Sequence, residues 1–378
     1  MPPSKHATLS ASSAHRWLNC PPSSLLAKGY EDAPSEAALQ GTAAHALAEH
    51  KLRRALKQQS KRPISKFEDD EMDEYTDDYV EFVLEQYAKA QETSADALIY
   101  IEQRLDFSHL VPDGFGTGDC LIIADGTLQV IDLKYGLGVL VEAEANPQLQ
   151  LYALGALRLF DALYDIEQVT VTIFQPRRDN VSTWTISVTK LNEWAEQTLK
   201  PAAALAANGG GEFCAGAWCQ FCPIAATCRA RAEANMKLAK HEFAPPAELS
   251  ADEVADVLTR IPELTKWASD VQDYALGKAL EGEHYAGFKL VAGRSIRKYA
   301  DEAAVAEAAK AAGYKDIYKQ QLLTITAMEK LMGRKQFAEV LGDLVVKPEG
   351  KPTLVPLSDK RLELSMSSAA DDFGGDGK

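Results

Sequence analysis

Gly114-Phe115-Gly116-Thr117-Gly118-Asp119-Cys120-Leu121-Ile122-Ile123-Ala124-Asp125-Gly126-Thr127-Leu128-Gln129-Val130-Ile131-Asp132-Leu133-Lys134 is the stretch that decides how this chain reads. Two β-rich runs, 120–123 and 128–134, flank Ala124-Asp125-Gly126, residues that suit a hairpin turn. The strand period of two puts Leu128, Val130, Asp132 and Lys134 on one face, so two opposite charges emerge at the end of a buried strand. A Gly-rich turn over 114–118 leads into Asp119 on the partner strand, which places a second carboxylate close to Asp132. Carboxylates hold a hard divalent cation that polarises a phosphodiester, and a lysine beside them orients water or neutralises developing charge. An Asp-x-Lys by itself is better explained by a surface ion pair on a strand.

Working outward, residues 10–60 read as helical, with Ser10, Ser12 and Ser13 offering caps and a second helix running on from Gly41 through His45 and His50. Gly41 permits a close approach at that helix start, and His45, one turn on, can donate an imidazole nitrogen to the same metal. Residues 73–93 repeat the helical period, with Tyr79, Phe82, Val83 and Tyr87 on one stripe, and 98–101 is a strand. Pro147 opens a helix over 148–163, where Gln148 and Tyr152, four apart, share a face and reach toward the phosphate or Lys134, while Gln150 points elsewhere. Residues 169–174 return as a strand. The core is therefore α/β, in the order helix, hairpin, helix, strand.

The chain has 378 residues, 46% hydrophobic and 25% charged, enough for one large core and a smaller second domain. A net charge of −15 argues against nonspecific coating of nucleic acid, but the acidity is local, in 68–78 and the tail, and leaves room for a basic groove. The N-terminus lacks a secretory pattern, and no apolar run is long enough to span a bilayer, so the expected location is cytoplasmic, with no membrane partner. Six cysteines are too few for a disulfide scaffold, and their clustering suits metal ligation in a reducing compartment. Cys219, Cys222 and Cys228 need a fourth ligand, for which Cys20 and Cys214 are the two candidates. A zinc site of Cys214, Cys219, Cys222 and Cys228, or a reduced set without metal, are the alternatives to an iron–sulfur cluster. Cys120, beside Asp119 but on the opposite strand face, reads as a buried cysteine.

Four motifs in fixed order, Gly41-x-x-x-His45, Gly116-x-x-Asp119, Asp132-Leu133-Lys134 and Gln148-x-x-x-Tyr152, resemble the RecB-like branch of the PD-(D/E)XK nucleases over residues 8–235. The resemblance implies a restriction-endonuclease-like core with flanking helices. It implies His45, Asp119, Asp132 and the Leu133 carbonyl as ligands of Mg2+ or Mn2+, Lys134 as catalytic, and Gln148 and Tyr152 as DNA-binding or supporting residues. RecB-like nucleases with a four-iron (4Fe-4S) cluster place one cysteine before the first motif and three after the last, the position of Cys20 relative to Cys219, Cys222 and Cys228. Glu329-Lys330-Leu331-Met332-Gly333 and segments between Lys351 and Arg361 resemble a phage-encoded family of uncharacterised proteins whose members look like recombination or replication nucleases.

The glycines at 209–211 and the segment 241–246 suggest a division into a nuclease domain with its cluster (1–240), a smaller, mainly helical accessory domain (247–361) and a disordered tail (362–378). Basic residues and aromatics in 287–299 form a candidate DNA-contacting strand and loop, equally well read as a solvated edge strand. The expected function is a metal-dependent deoxyribonuclease acting as an exonuclease at DNA ends in phage recombination or replication, in the bacterial host. Its expected partners are DNA ends or single strands and a phage single-strand-binding or annealing protein, and an oligomer is open. A defence-type endonuclease and a catalytically silent DNA-binding scaffold are the rival readings.

Overall fold

Gly126 adopts φ 74°, a left-handed conformation that glycine enters without strain, and turns β2 (Phe115–Ala124) back into β3 (Thr127–Leu133) with Ala124 opposite Thr127. The computed structural model that contains this hairpin describes residues 7–27, 35–239, 250–289 and 325–341, with positions 304, 306, 307, 310, 344 and 345. The hairpin lies inside a five-stranded mixed sheet of order β1-β2-β3-β4-β5. Its outer neighbour β1 (Leu98–Asp106) runs antiparallel to β2, and β4 (Gln168–Gln175) runs parallel to β3. The sequence reading stops short of β5 (Asn180–Ser187), an antiparallel edge strand on β4 whose residues are mostly half-exposed or exposed.

Helices cover both faces, as a parallel β3–β4 pair requires of its crossover. That crossover is α5 (Pro147–Tyr164). Pro147 sits in its first turn, where the missing N–H costs nothing, and the Asn146 side chain caps it by accepting from Gln148 and Leu149 N–H. Leu128 and Val130 point into a core shared with Leu149, Ala153 and Leu157 of α5, with Trp17 of α1 (Ala14–Asn19), and with a helical run formed by α6 (Val188–Trp194) and α7 (Lys200–Ala207). On the opposite face Cys120, Ile122, Ile131 and Leu133 pack against α3 (Glu36–Ala55) and α4 (Asp70–Thr93) through Ala48, Leu52, Tyr79 and Val83. A short helix, α2 (Ser23–Ala27), is tied to α7 by the Ser24 hydroxyl, which donates to the Ala206 carbonyl at 2.6 Å.

Two glycine expectations change. Helix α3 begins at Glu36, capped by Ser35, so Gly41 lies inside it, and a Cβ there would touch nothing within 4 Å. Residues 115–118 are strand, not turn, because Phe115 to Gly118 pair with β1 in register. Their glycines serve close packing. At Gly116 a Cβ would fall 2.6 Å from the Tyr152 ring, and at Gly118 3.2 Å from Leu105.

The chain separates into two compact units, Met1–Glu281 and Gly282–Lys378. The first includes α8 (Arg229–Ala239) and the long α9 (Ala251–Leu280), which starts in the expected capping box of Ser250 and Glu253. Arg231, fully buried, joins these two helices by donating to Glu263 at 2.6 Å and Asp270 at 2.5 Å. Replacing Arg231 by Met removes both ion pairs, leaving Asp270 to Lys266 alone and Glu263 without its cation. A loss of roughly 3–5 kcal/mol is expected in denaturant unfolding. In the second unit α10 (Ile325–Met332) ends at Gly333, φ 79°, and packs on α11 (Arg334–Leu341). No helix among the described residues is long and apolar enough to cross a membrane. The 241–246 break, most of the basic segment 287–299, the stretch 351–361 and the tail 362–378 lie outside the described residues.

Candidate metal centre and cysteine pocket

The β2–β3 ladder ends at Cys120 opposite Ile131, and the Asp119 carboxylate takes over where the next backbone acceptor would stand, receiving the Leu133 N–H at 2.8 Å. The same Oδ2 lies 3.3 Å from His45 Nδ1. His45 is presented by α3 and remains about a third exposed, its side chain at 31%. The two residues expected to share a metal are thus in contact.

Asp132 lies on the other prong of this fork and is buried, 2% exposed. Lys134 Nζ forms an ion pair 2.8 Å from Asp132 Oδ2 and donates to Gln148 Oε1 at 3.0 Å. The Gln148 amide nitrogen reaches both Asp132 Oδ1 at 3.3 Å and the Tyr152 hydroxyl at 3.1 Å. Gln148 and Tyr152 therefore meet Asp132 and Lys134 as their helical spacing suggests, in one hydrogen-bonded chain. The ion pair leaves Asp132 Oδ2 without a well-aligned donor.

Charge is tightly coupled across the fork. Burial works against ionisation of Asp119, but His45 outweighs it and holds that carboxyl below its usual range. His45 in turn, despite the penalty of burial, is drawn up to about 9 by Asp119. Burial pushes Asp132 upward against the pull of Lys134. Lys134 pays the same desolvation penalty and is nevertheless raised by Asp132, so it stands protonated, a cation and donor rather than a base.

Sequence reasoning missed Glu102. Its carboxylate, one His45 nitrogen and an Asp119 oxygen all lie within 4.8 Å of one another, a spacing that suits a shared metal ion. Asp132 stands outside that trio. Glu102 lies on β1 at φ 52°, breaking the ladder at the position facing Asp119 between the pairs Ile101–Cys120 and Gln103–Gly118. An acidic residue at the end of an apolar run was the only available signal, and nothing in the residue types foretells its left-handed backbone. Burial, and then Asp119, lift its carboxyl to about 7.

Gly116 tests the packing behind this site. A methyl group there must displace the Tyr152 ring, itself 7% exposed, and with it the hydroxyl that Gln148 holds. Gly116→Ala is expected to destabilise by roughly 1–3 kcal/mol in thermal or denaturant unfolding. Its effect should fail to add to that of Tyr152→Phe on activity, since both act on one contact.

Cys20, Cys214, Cys219, Cys222 and Cys228 line a single pocket with Arg16 and Trp218. All are free thiols, and among the described residues no three sulfurs lie within 4.8 Å of one another. Cys20 and Cys219 are buried, whereas Cys214 is exposed. Arg16, which lines this pocket, has a buried guanidinium nitrogen, Nη1, without a hydrogen-bond partner. Cys120 is elsewhere, buried in the sheet as expected, its thiol pushed up by burial.

Fold and site define a mixed α/β protein in which a His-Glu-Asp group suited to a metal ion sits at the fork of a central hairpin. The chain belongs to the family described as "Protein of unknown function (DUF2800)", whose model matches residues 6–362. It is also similar to the solved structure described as "Crystal structure of SSO0001", with 13% identity over 61% of this chain and 89% of that one, at a TM-score of 0.29.

Proposed function

We propose that the protein is a divalent-metal-dependent deoxyribonuclease of the RecB-like PD-(D/E)XK type, degrading DNA from its ends. The observation that carries this reading is convergence. His45 from α3, Asp119 from β2, Asp132 from β3 with Lys134 just beyond its end, and Gln148 and Tyr152 from α5 meet at one sheet fork. An incidental Asp-x-Lys ion pair would have no reason to recruit the other four.

The residues fit Mg2+ or Mn2+. His45 and Asp119 supply one nitrogen and carboxylate oxygens, Asp132 adds a buried carboxylate held by Lys134, and Leu133 lines the same cavity as His45 and Asp119. When bound, the ion polarises the phosphodiester and eases ionisation of the attacking water. His45 and Asp119 would hold it, with Asp132 and the Leu133 carbonyl beside them. Lys134, kept charged by Asp132, offsets negative charge that builds on the phosphate. Gln148 fixes both members of that pair and orients Tyr152 by donating to its hydroxyl.

An iron–sulfur (4Fe-4S) cluster held by Cys20, Cys219, Cys222 and Cys228 belongs to the same proposal. Zinc wants four sulfurs at about 2.3 Å from one ion, hence close to one another, whereas a four-iron cube takes each thiolate on a separate corner. What supports a shared site here is that the four thiols line one pocket. The unpartnered Arg16 nitrogen suits an anionic occupant, and Cys214 is the less enclosed thiol. Such a cluster is structural in this reading.

Cellular work in phage recombination or replication, alongside a single-strand-binding or annealing protein, is the proposed setting. The test compares end-labelled linear DNA with closed circular DNA under manganese and under chelator. Metal-dependent loss of the linear form with the circle spared supports an exonuclease. Cutting of the circle favours the defence-type endonuclease, and no digestion of either leaves the silent scaffold.

A further inference from the structure

Resting on the metal-dependent reading above, we infer that Glu102 is a direct protein ligand of the catalytic cation, completing a His45–Glu102–Asp119 triad that the four sequence motifs do not contain. Three observations converge on it. Its carboxylate oxygen lies within 4.8 Å of both the His45 nitrogen and the Asp119 oxygen, so one ion can touch all three. These side chains and Leu133 enclose a cavity of about 10 Å³, room for one ion or one water. The third is independent of the acids. Tyr79, 2% exposed and reaching the same cavity from α4, has a buried hydroxyl with no hydrogen-bond partner in the protein. A buried hydroxyl without a partner is costly, and a water on the cation would satisfy it.

The surroundings show why Glu102 takes this role rather than its neighbour. Glu49, one helical turn beyond His45 on α3, lines the same cavity, but it is engaged by Arg53 Nε at 2.8 Å. Arg53 also donates to the Ile101 carbonyl at 3.1 Å, securing β1 next to the residue where its ladder is interrupted. Glu102 is left facing His45 and Asp119. The donor set of two carboxylates and one imidazole accepts manganese more readily than magnesium, since the nitrogen is the softer ligand.

Manganese binding to the full, cluster-loaded chain tests this, read by titration of free Mn2+ with electron paramagnetic resonance rather than by turnover. Glu102→Gln keeps the size of the side chain and is expected to weaken Mn2+ binding by about 10–100-fold, with a thermal melt in chelator no lower than wild type. Glu49→Gln, changed in the same cavity, should bind within about twofold of wild type, and Tyr79→Phe should weaken binding by less than Glu102→Gln. Wild-type affinity in Glu102→Gln, alongside weakened binding in His45→Ala and Asp119→Asn, would overturn the inference and leave the nuclease reading standing. Absence of Mn2+ binding by the wild-type chain would remove both.

Discussion

Asp132→Asn is expected to abolish metal-dependent DNA digestion, lowering its rate by on the order of 10³-fold or more, about 4 kcal/mol of transition-state stabilisation. Asparagine has the same shape, so Gln148 and the sheet around it can stay in place, and what disappears is charge. Asp132 is 2% exposed and is the partner that holds Lys134 protonated. Without it Lys134 loses its reason to remain a buried cation and tends to give up its proton, so both the carboxylate and the cation are lost in one substitution. Lys134→Ala should therefore cost nearly as much as Asp132→Asn, and the double variant little more than either, the signature of residues that act as a unit. Additive losses would show that the two side chains work separately. Thermal unfolding in chelator distinguishes inactivation from collapse: Asp132→Asn should melt close to wild type.

Cys20→Ser is expected to strip iron from the purified protein and lower its melting temperature by about 10 °C. Cys20 stands at the end of α1, and its proposed partners follow α7, so ligation closes a loop of roughly 200 residues around the sheet. A cross-link of that span restricts the unfolded chain by about 5 kcal/mol, and a unit of this size loses a few degrees per kcal/mol. The N-terminal helices keep other attachments, through buried Trp17, whose indole donates to the Ser10 carbonyl, and through Ser24. For that reason the sheet should still fold at low temperature. Cys214→Ser is the control and should retain its iron. A reversal, with Cys214→Ser losing metal and Cys20→Ser keeping it, would exchange the fourth ligand, and zinc in the purified protein would replace the cluster altogether.

Much of the centre was legible because it rests on short-range rules. The hairpin follows from a turn that needs a left-handed residue, and Gly126 supplies it. Asp132 and Lys134 share a face because strands alternate, and Gln148 and Tyr152 meet because helices repeat every 3.6 residues. Pro147 announces the start of α5, and the structure adds the Asn146 cap. What stayed hidden depends on tertiary contacts. Glu102 joins the centre through a backbone conformation that no residue type in Ile101-Glu102-Gln103 demands. Tyr79 reads as one more apolar position on a helix stripe, and only packing brings it to the cavity with its hydroxyl unpartnered. The glycines before Asp119 look like a turn because flexibility and close packing use the same residue; the Tyr152 ring against Gly116 decides between them. Edge strand β5 alternates in burial, but polar Asn180 and Ser182 sit on its more buried side and Val181 on its exposed side, so its residue types do not show the period. The basic segment 287–299 remains a candidate DNA contact on sequence alone.

The most direct test of the account is digestion of end-labelled linear DNA by the anaerobically purified full chain, wild type beside Asp132→Asn, with Mn2+ present and then chelated. The account predicts label release by the wild type that stops on chelation and is absent from the variant. Equal digestion by both proteins, or none by a metal- and cluster-loaded wild type, would contradict it.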